Sequence, residues 1–263
     1  MANQFSFGPN GSYFLKTESN WAWSDHPLPE PLKEILTDPG HPYAMKYPYD
    51  VALGMEPGTY TMFWRTSRDV DAYEDEQLGS SYAKLRTYVE TIGKEGGRTS
   101  HTTFGPNASY FAISPNGFSW QNLPEDLETD ILMRIKKTSP GVVALGVSGT
   151  YVVLYGDGRM TYDLDDKYPA VDALLRDADG LGQRNGISYL ALNPYVAGQY
   201  YAVFGNGSAR WNVPQEWSQD VQNVAVTIQA QSKQLQGTAG VIQATGNFAV
   251  QAQAARFMPT LFR

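Results

Sequence analysis

The 263-residue chain contains no cysteine. That excludes disulfides, thiolate nucleophiles and every cysteine-ligated metal or iron–sulfur centre. It has three histidines, His26, His41 and His101. No pair has the i, i+4 spacing of a helical metal site, and no His-Glu-x-x-His occurs. Gly-x-Ser-x-Gly and Gly-x-x-x-x-Gly-Lys-Ser/Thr are missing too, so neither a nucleophile elbow nor a phosphate loop is expected. No stretch approaches the ~18 apolar residues of a membrane span. The apolar run Tyr151–Tyr155 reads instead as a buried strand. The opening MANQFSFGPN lacks the basic segment and apolar run of a secretory signal, so the expected location is the cytoplasm. Positive charge is also scarce: 20 Lys+Arg stand against 27 Asp+Glu, a net charge of −7. This argues against nucleic acid or an anionic membrane as partners, since both attract positive surfaces. With 42% hydrophobic and 18% charged residues, there is ample material for a folded core.

What the chain does have is repetition, which is sought first because it decides the architecture. Five segments align: FGPNGSYFL from Phe7, LGMEPGTYTM from Leu53, FGPNASYFA from Phe104, LGVSGTYVV from Leu145 and LNPYVAGQYYA from Leu192. Each has an apolar residue, usually a glycine, a short turn, a small residue and then a tyrosine. The tyrosines are Tyr13, Tyr60, Tyr110, Tyr151 and Tyr200. The Asn-x-Ser sequons at Asn10, Asn107 and Asn206 fall in turn segments. Turn chemistry accounts for them, because Asn and Gly tolerate the positive φ of tight hairpins.

After each tyrosine come a second turn and a second aromatic: Trp23, Tyr73, Trp120, Tyr162 and Trp211. The second copy is the most stretched, with SRDVDAYEDE around Tyr73. Each unit then closes with apolar residues at helical spacing, as in Leu32, Ile35 and Leu36 or Leu127, Ile131 and Leu132. One unit is therefore three strands joined by tight turns, then a short helix. The middle strand is apolar on consecutive residues and reads as buried on both faces, and the third alternates and reads as half-exposed. A meander buried on both faces must stack on its own copies.

The expected fold is mainly β: a single five-bladed β-propeller of three-stranded meanders, each followed by a short helix. The repeats span about residues 4–37, 50–93, 101–136, 142–177 and 187–226, all within one domain, 1–226. An open α+β stack of the same units is the rival topology. The Gln- and Ala-rich segment 227–263 breaks the pattern. It is expected to extend the last helix and pack on the ring, or to serve as an arm for a homo-oligomer.

The Ala-Leu-Gly-x-x-Gly-x-Tyr string, its following Gly-Asp-Gly turn, aromatic and helix resemble a repeat of fungal proteins of unassigned function. The units also loosely resemble the repeats of five-bladed propeller lectins of the tachylectin type. The resemblance implies a propeller that binds carbohydrate, and no sugar-binding residue of those lectins matches here.

The residues that this reading favours for ligand binding are Trp23, Tyr73, Trp120, Tyr162 and Trp211. On half-exposed strands they would offer flat faces to sugar C–H groups; packing against neighbouring sheets is the competing role. No cofactor, metal or catalytic residue is expected. The leading function is a lectin-like binding module with a glycan or another small ligand as partner, whose repeated weak sites gain by multivalency. The alternatives are a pericyclase-like enzyme that shapes one small molecule in a single aromatic pocket, and a protein-interaction platform.

Overall fold

The computed structural model describes residues 3–24, 28–176 and 186–225. It is mainly β, with five three-stranded antiparallel sheets, each followed by a short helix. Sheet 1 holds β1 (Gln4–Phe7), β2 (Tyr13–Lys16) and β3 (Trp21–Trp23), then α1 (Glu30–Thr37). Sheet 2 holds β4 (Met45–Leu53), β5 (Tyr60–Thr66) and β6 (Asp71–Glu74), then α2 (Ala83–Lys94). Sheet 3 is β7 (His101–Gly105), β8 (Ser109–Ser114) and β9 (Gly117–Gln121), with α3 (Glu125–Arg134). Sheet 4 is β10 (Pro140–Leu145), β11 (Tyr151–Tyr155) and β12 (Met160–Asp163), with α4 (Pro169–Leu175). Sheet 5 is β13 (Ile187–Leu192), β14 (Tyr200–Phe204) and β15 (Ala209–Asn212), with α5 over residues 218–225. The expected extension beyond residue 226 and the arm at 227–263 lie outside the described residues, as does His26.

Local chemistry explains the unit. Asn10 and Gly11 (φ 55° and 78°), Asn107 and Ala108 (59° and 53°), and Ser148 and Gly149 (56° and 84°) are consecutive left-handed pairs. Such pairs reverse an antiparallel chain with the twist that its strands need. The middle strands are then shielded on both faces: every residue of β2, β8 and β11 is buried. The third strands are mostly half-buried. The stretched second unit carries the longest first strand, with two register breaks against β5. Ring closure demands apolar faces between sheets, and the cores have that composition. One cluster joins Phe5 and Tyr13 of sheet 1 to Val142 of sheet 4 and Tyr189 of sheet 5.

The first strands stand next to one another in cyclic order, β1 to β4 to β7 to β10 to β13, and β13 returns to β1. This is a propeller-like ring. Counting back three residues from Phe7, Leu53, Phe104, Leu145 and Leu192 gives Gln4, Asp50, His101, Val142 and Tyr189. Four of these side chains bond the backbone of the next first strand, one residue further on. The Val51 N–H donates to Gln4 Oε1 at 3.0 Å, and the Thr102 N–H to Asp50 Oδ1 at 3.3 Å. His101 Nε2 lies 2.7 Å from the Val143 carbonyl, which makes it the donor. Tyr189 closes the circle: its Oη accepts from the Phe5 N–H at 2.8 Å and donates to the Phe5 carbonyl at 3.0 Å. Val142 alone has no polar group to offer. A first strand has one edge without a strand neighbour, and these side chains satisfy it.

Candidate functional site

Two clefts open between consecutive sheets on the face that carries the first turns. One lies between sheets 1 and 2, with a volume of about 150 Å³. The other, between sheets 3 and 4, measures about 430 Å³. They are built from corresponding residues. Asn10, Ser12, Leu28 and Pro29 form one wall of the first, and Asn107, Ser109, Leu123 and Pro124 form that wall in the second. Opposite stand Leu53, Gly58 and Thr59 in the first cleft, and Leu145, Gly149 and Thr150 in the second.

The residue at the start of the helix, or one turn into it, accounts for which places are filled. Pro29 caps α1 and Pro124 caps α3, whereas Tyr82 caps α2 and Tyr168 caps α4. The Tyr168 hydroxyl accepts from the Val147 N–H at 2.9 Å and donates to the Asn193 carbonyl of sheet 5 at 2.6 Å. A Cβ on Gly146 would come within 2.7 Å of that hydroxyl. Tyr82 packs edge-on against Phe104 of sheet 3, with ring centroids 5.0 Å apart. Its hydroxyl bonds the backbone of Met55, which corresponds to Val147. After sheet 5, Trp217 lies against Tyr13 and Phe7 of sheet 1 and reaches within 3.7 Å of Gly11's Cβ position. Tyrosine or tryptophan thus occupies three junctions: Pro214 precedes the fifth helix as Pro29 and Pro124 precede theirs, and Trp217 fills its junction where the first and third units have Leu32 and Leu127.

The larger cleft has apolar walls (Leu123, Pro124, Leu145) and hydrogen-bonding groups at Asn107, Asn122, Ser148 and Asp163. Asn122 donates from Nδ2 to the Asn107 carbonyl at 3.0 Å and ties two lining segments together. A volume of this size, apolar with a few placed polar groups, falls in the range of small-molecule sites.

Four of the five aromatics expected to bind ligand occupy one repeated place, opposite the residue that follows the repeat tyrosine, and Tyr73 stands two residues further along its sheet. Each third-strand ring sits across from a middle-strand residue: Trp23 from Phe14, Tyr73 from Phe63, Trp120 from Phe111, Tyr162 from Val152, and Trp211 from Tyr201. All five are half-buried, and none lines either cleft. Trp120 and Tyr73 contact the helix of their own unit, and the Lys84 ammonium of α2 also lies over the Trp120 ring, 5.7 Å from its centroid. Trp120 stacks on Phe111 with its centroid 5.9 Å away and donates from Nε1 to Glu128 of α3 at 2.9 Å. A Cβ on Gly93 of α2 would meet the Tyr73 ring at 2.2 Å. The structure therefore does not bring these rings together in one site. The cleft residues were legible only as turn residues, because which turns face which N-cap is a tertiary fact.

This packing gives a sign test. Gly→Ala inside a helix ordinarily stabilises by up to ~1 kcal/mol. Gly93→Ala is expected to destabilise by about 2 kcal/mol, because the methyl group overpacks Tyr73. The double variant with Tyr73→Ala should recover part of that loss relative to Tyr73→Ala alone, measured by urea denaturation. A stabilising Gly93→Ala would show that Tyr73 does not seat the helix.

The axis of the ring is nearly filled. The cavity that the first strands enclose has about 20 Å³, room for about one water. The Tyr195 hydroxyl, from the first turn of sheet 5, reaches across to donate to the Gly54 carbonyl of sheet 2 at 2.8 Å. A small molecule enclosed on the axis, one form of the enzyme alternative, has no space there. At the other end of the first strands lies a buried polar group. Asp50, 1% exposed, accepts from Gln4 Nε2 at 2.5 Å, Thr99 Oγ1 at 2.6 Å, Thr102 Oγ1 at 2.7 Å and the Thr102 N–H. Burial lowers the pKa of the neighbouring Lys16 to about 8, partly offset by the Asp50 carboxylate. Burial also pushes His101 below the usual imidazole range. Each of these groups supports the ring rather than facing a cleft. Among the described residues, no group of three or more His, Asp or Glu is placed to hold a metal ion, and no helix is long and apolar enough to cross a membrane.

Fold and site together define the class: a mainly β repeat protein of five three-stranded sheets in a propeller-like ring, with clefts at two of its junctions. No family model matches the chain, and no curated protein matches it. Among solved structures it is similar to one described as a streptogramin B lyase structure, at 10% identity and a TM-score of 0.25, covering 80% of this chain and 68% of that one. A likeness so slight decides neither fold nor function.

Proposed function

We propose that the protein is a lectin-like binding module, a single five-bladed propeller whose ligands, glycans or small molecules of similar polarity, seat in the clefts between sheets. The observation that supports this is the recurrence of one cleft, residue for residue, at the 1/2 and 3/4 junctions. Aromatic side chains plug the corresponding places elsewhere. The cleft walls combine apolar surface with amide, hydroxyl and carboxylate groups, which suits a ligand with both C–H faces and hydroxyls. The 3/4 cleft is the principal site, because the 1/2 cleft is smaller than the ~300 Å³ at which small-molecule sites begin.

A glycan array tests the reading, followed by Pro124→Tyr, which copies the residue that plugs the 4/5 junction. The variant should fold with near-native stability and lose at least about ten-fold in affinity for whatever the wild type binds. Silence of a folded wild-type protein across the array would remove the proposal. Binding that survives Pro124→Tyr but falls with Trp120→Ala would move the site to the peripheral rings.

A further inference from the structure

The two clefts differ in charge. Every residue that lines the 1/2 cleft is uncharged. The 3/4 cleft has one charged lining residue, Asp163, and no cation. Asp163 ends β12 directly across from Tyr151, and its Oδ1 accepts from the Asp165 N–H at 3.1 Å. It is exposed and forms no ion pair among the described residues. The surrounding field has the same sign. The Tyr151 hydroxyl is held at about 12, first by burial and then by the carboxylates of Asp163, Asp126 and Asp130. A ligand that enters this cleft therefore meets apolar walls, amide and hydroxyl groups, and one unpaired carboxylate, with no cation in the lining, while Lys167 and Arg134 are engaged with Asp165 and Asp130.

We infer that the 3/4 cleft selects a ligand bearing a protonated amine, an amino sugar over its neutral or acidic counterpart, and that Asp163 is the residue that reads this charge. This rests on the binding reading above and adds the ligand class. The basis is electrostatic: an ammonium group at the cleft gains an ion pair, whereas an acetamide gains only a neutral contact and a carboxylate is repelled.

The test is titration of the wild-type protein with glucosamine, N-acetylglucosamine and glucuronate below about pH 7, where an ordinary amine is charged. Glucosamine should bind most tightly and glucuronate most weakly. Asp163→Asn keeps the turn's acceptor oxygen and should reduce glucosamine affinity about three- to five-fold, the scale of a solvent-exposed ion pair. Its N-acetylglucosamine affinity should not change. Asp157→Asn, the same charge change in the hairpin turn of sheet 4, serves as the control and should leave both affinities alone. Equal wild-type affinities for the three sugars would overturn the inference, as would equal effects of the two substitutions. If all three sugars are silent while other array glycans bind, the charge preference alone fails; silence everywhere removes the binding reading with it.

Discussion

Asp50→Ala is expected to destabilise the protein by about 4 kcal/mol, a large fraction of the ~5–15 kcal/mol that keeps a domain folded. Asp50 accepts four hydrogen bonds, from Gln4, from Thr99 and twice from Thr102. These donors belong to sheet 1, to the segment leading into β7, and to β7 itself, so one carboxylate joins three consecutive units. Alanine leaves them facing a buried space, and each unsatisfied buried group costs roughly 1–3 kcal/mol. Asp50→Asn should cost only about 1–2 kcal/mol. Its remaining oxygen can serve the Gln4 amide and the Thr102 N–H, and the two threonine hydroxyls can turn to accept from the new NH₂. Chemical denaturation of both variants reads the difference. Alanine and asparagine variants of equal stability would mean that the hydrogen-bond set is not what holds these units together.

The second large effect concerns the closing contact. Tyr189→Phe removes one hydroxyl and keeps the ring, which packs edge-on against His101 with centroids 6.1 Å apart. That hydroxyl both accepts from and donates to the backbone of Phe5, 184 residues away in sequence. Its loss leaves an N–H and a C=O unpaired on the inner edge of β1, in a residue that is 3% exposed. A loss of about 3 kcal/mol follows from two buried backbone groups. Hydrogen exchange supplies the sharper readout: protection should fall first at β1 and β13, the strands on either side of the closure. Uniform loss across all five sheets, with no local component, would argue that the Tyr189 hydroxyl has no special part in joining the ends.

Much of the unit was visible in the residues. The five tyrosines, the left-handed Asn10-Gly11 and Ser148-Gly149 pairs, and the apolar triplets such as Leu32, Ile35 and Leu36 encode turn, buried strand and helix by short-range chemistry. The altered second copy was visible as well, in the long segment around Tyr73. The site was less legible. Trp23, Tyr73, Trp120, Tyr162 and Trp211 have the pattern of half-exposed binding aromatics. A half-buried ring under a helix leaves the same alternating signature as one beside a groove, because periodicity reports burial and not the identity of the neighbour.

The sequence by itself determined the repeating strand–turn–strand–turn–strand–helix unit and its count, since turn conformation, strand burial and helix amphipathicity are properties of near neighbours along the chain. Only the tertiary structure decided that Gln4, Asp50, His101 and Tyr189 form one belt, and that two junctions stay open where Tyr82, Tyr168 and Trp217 fill the others. Those outcomes depend on which distant side chain arrives at a given edge. Residues 42 to 184 positions apart meet there, and no local pattern encodes that distance.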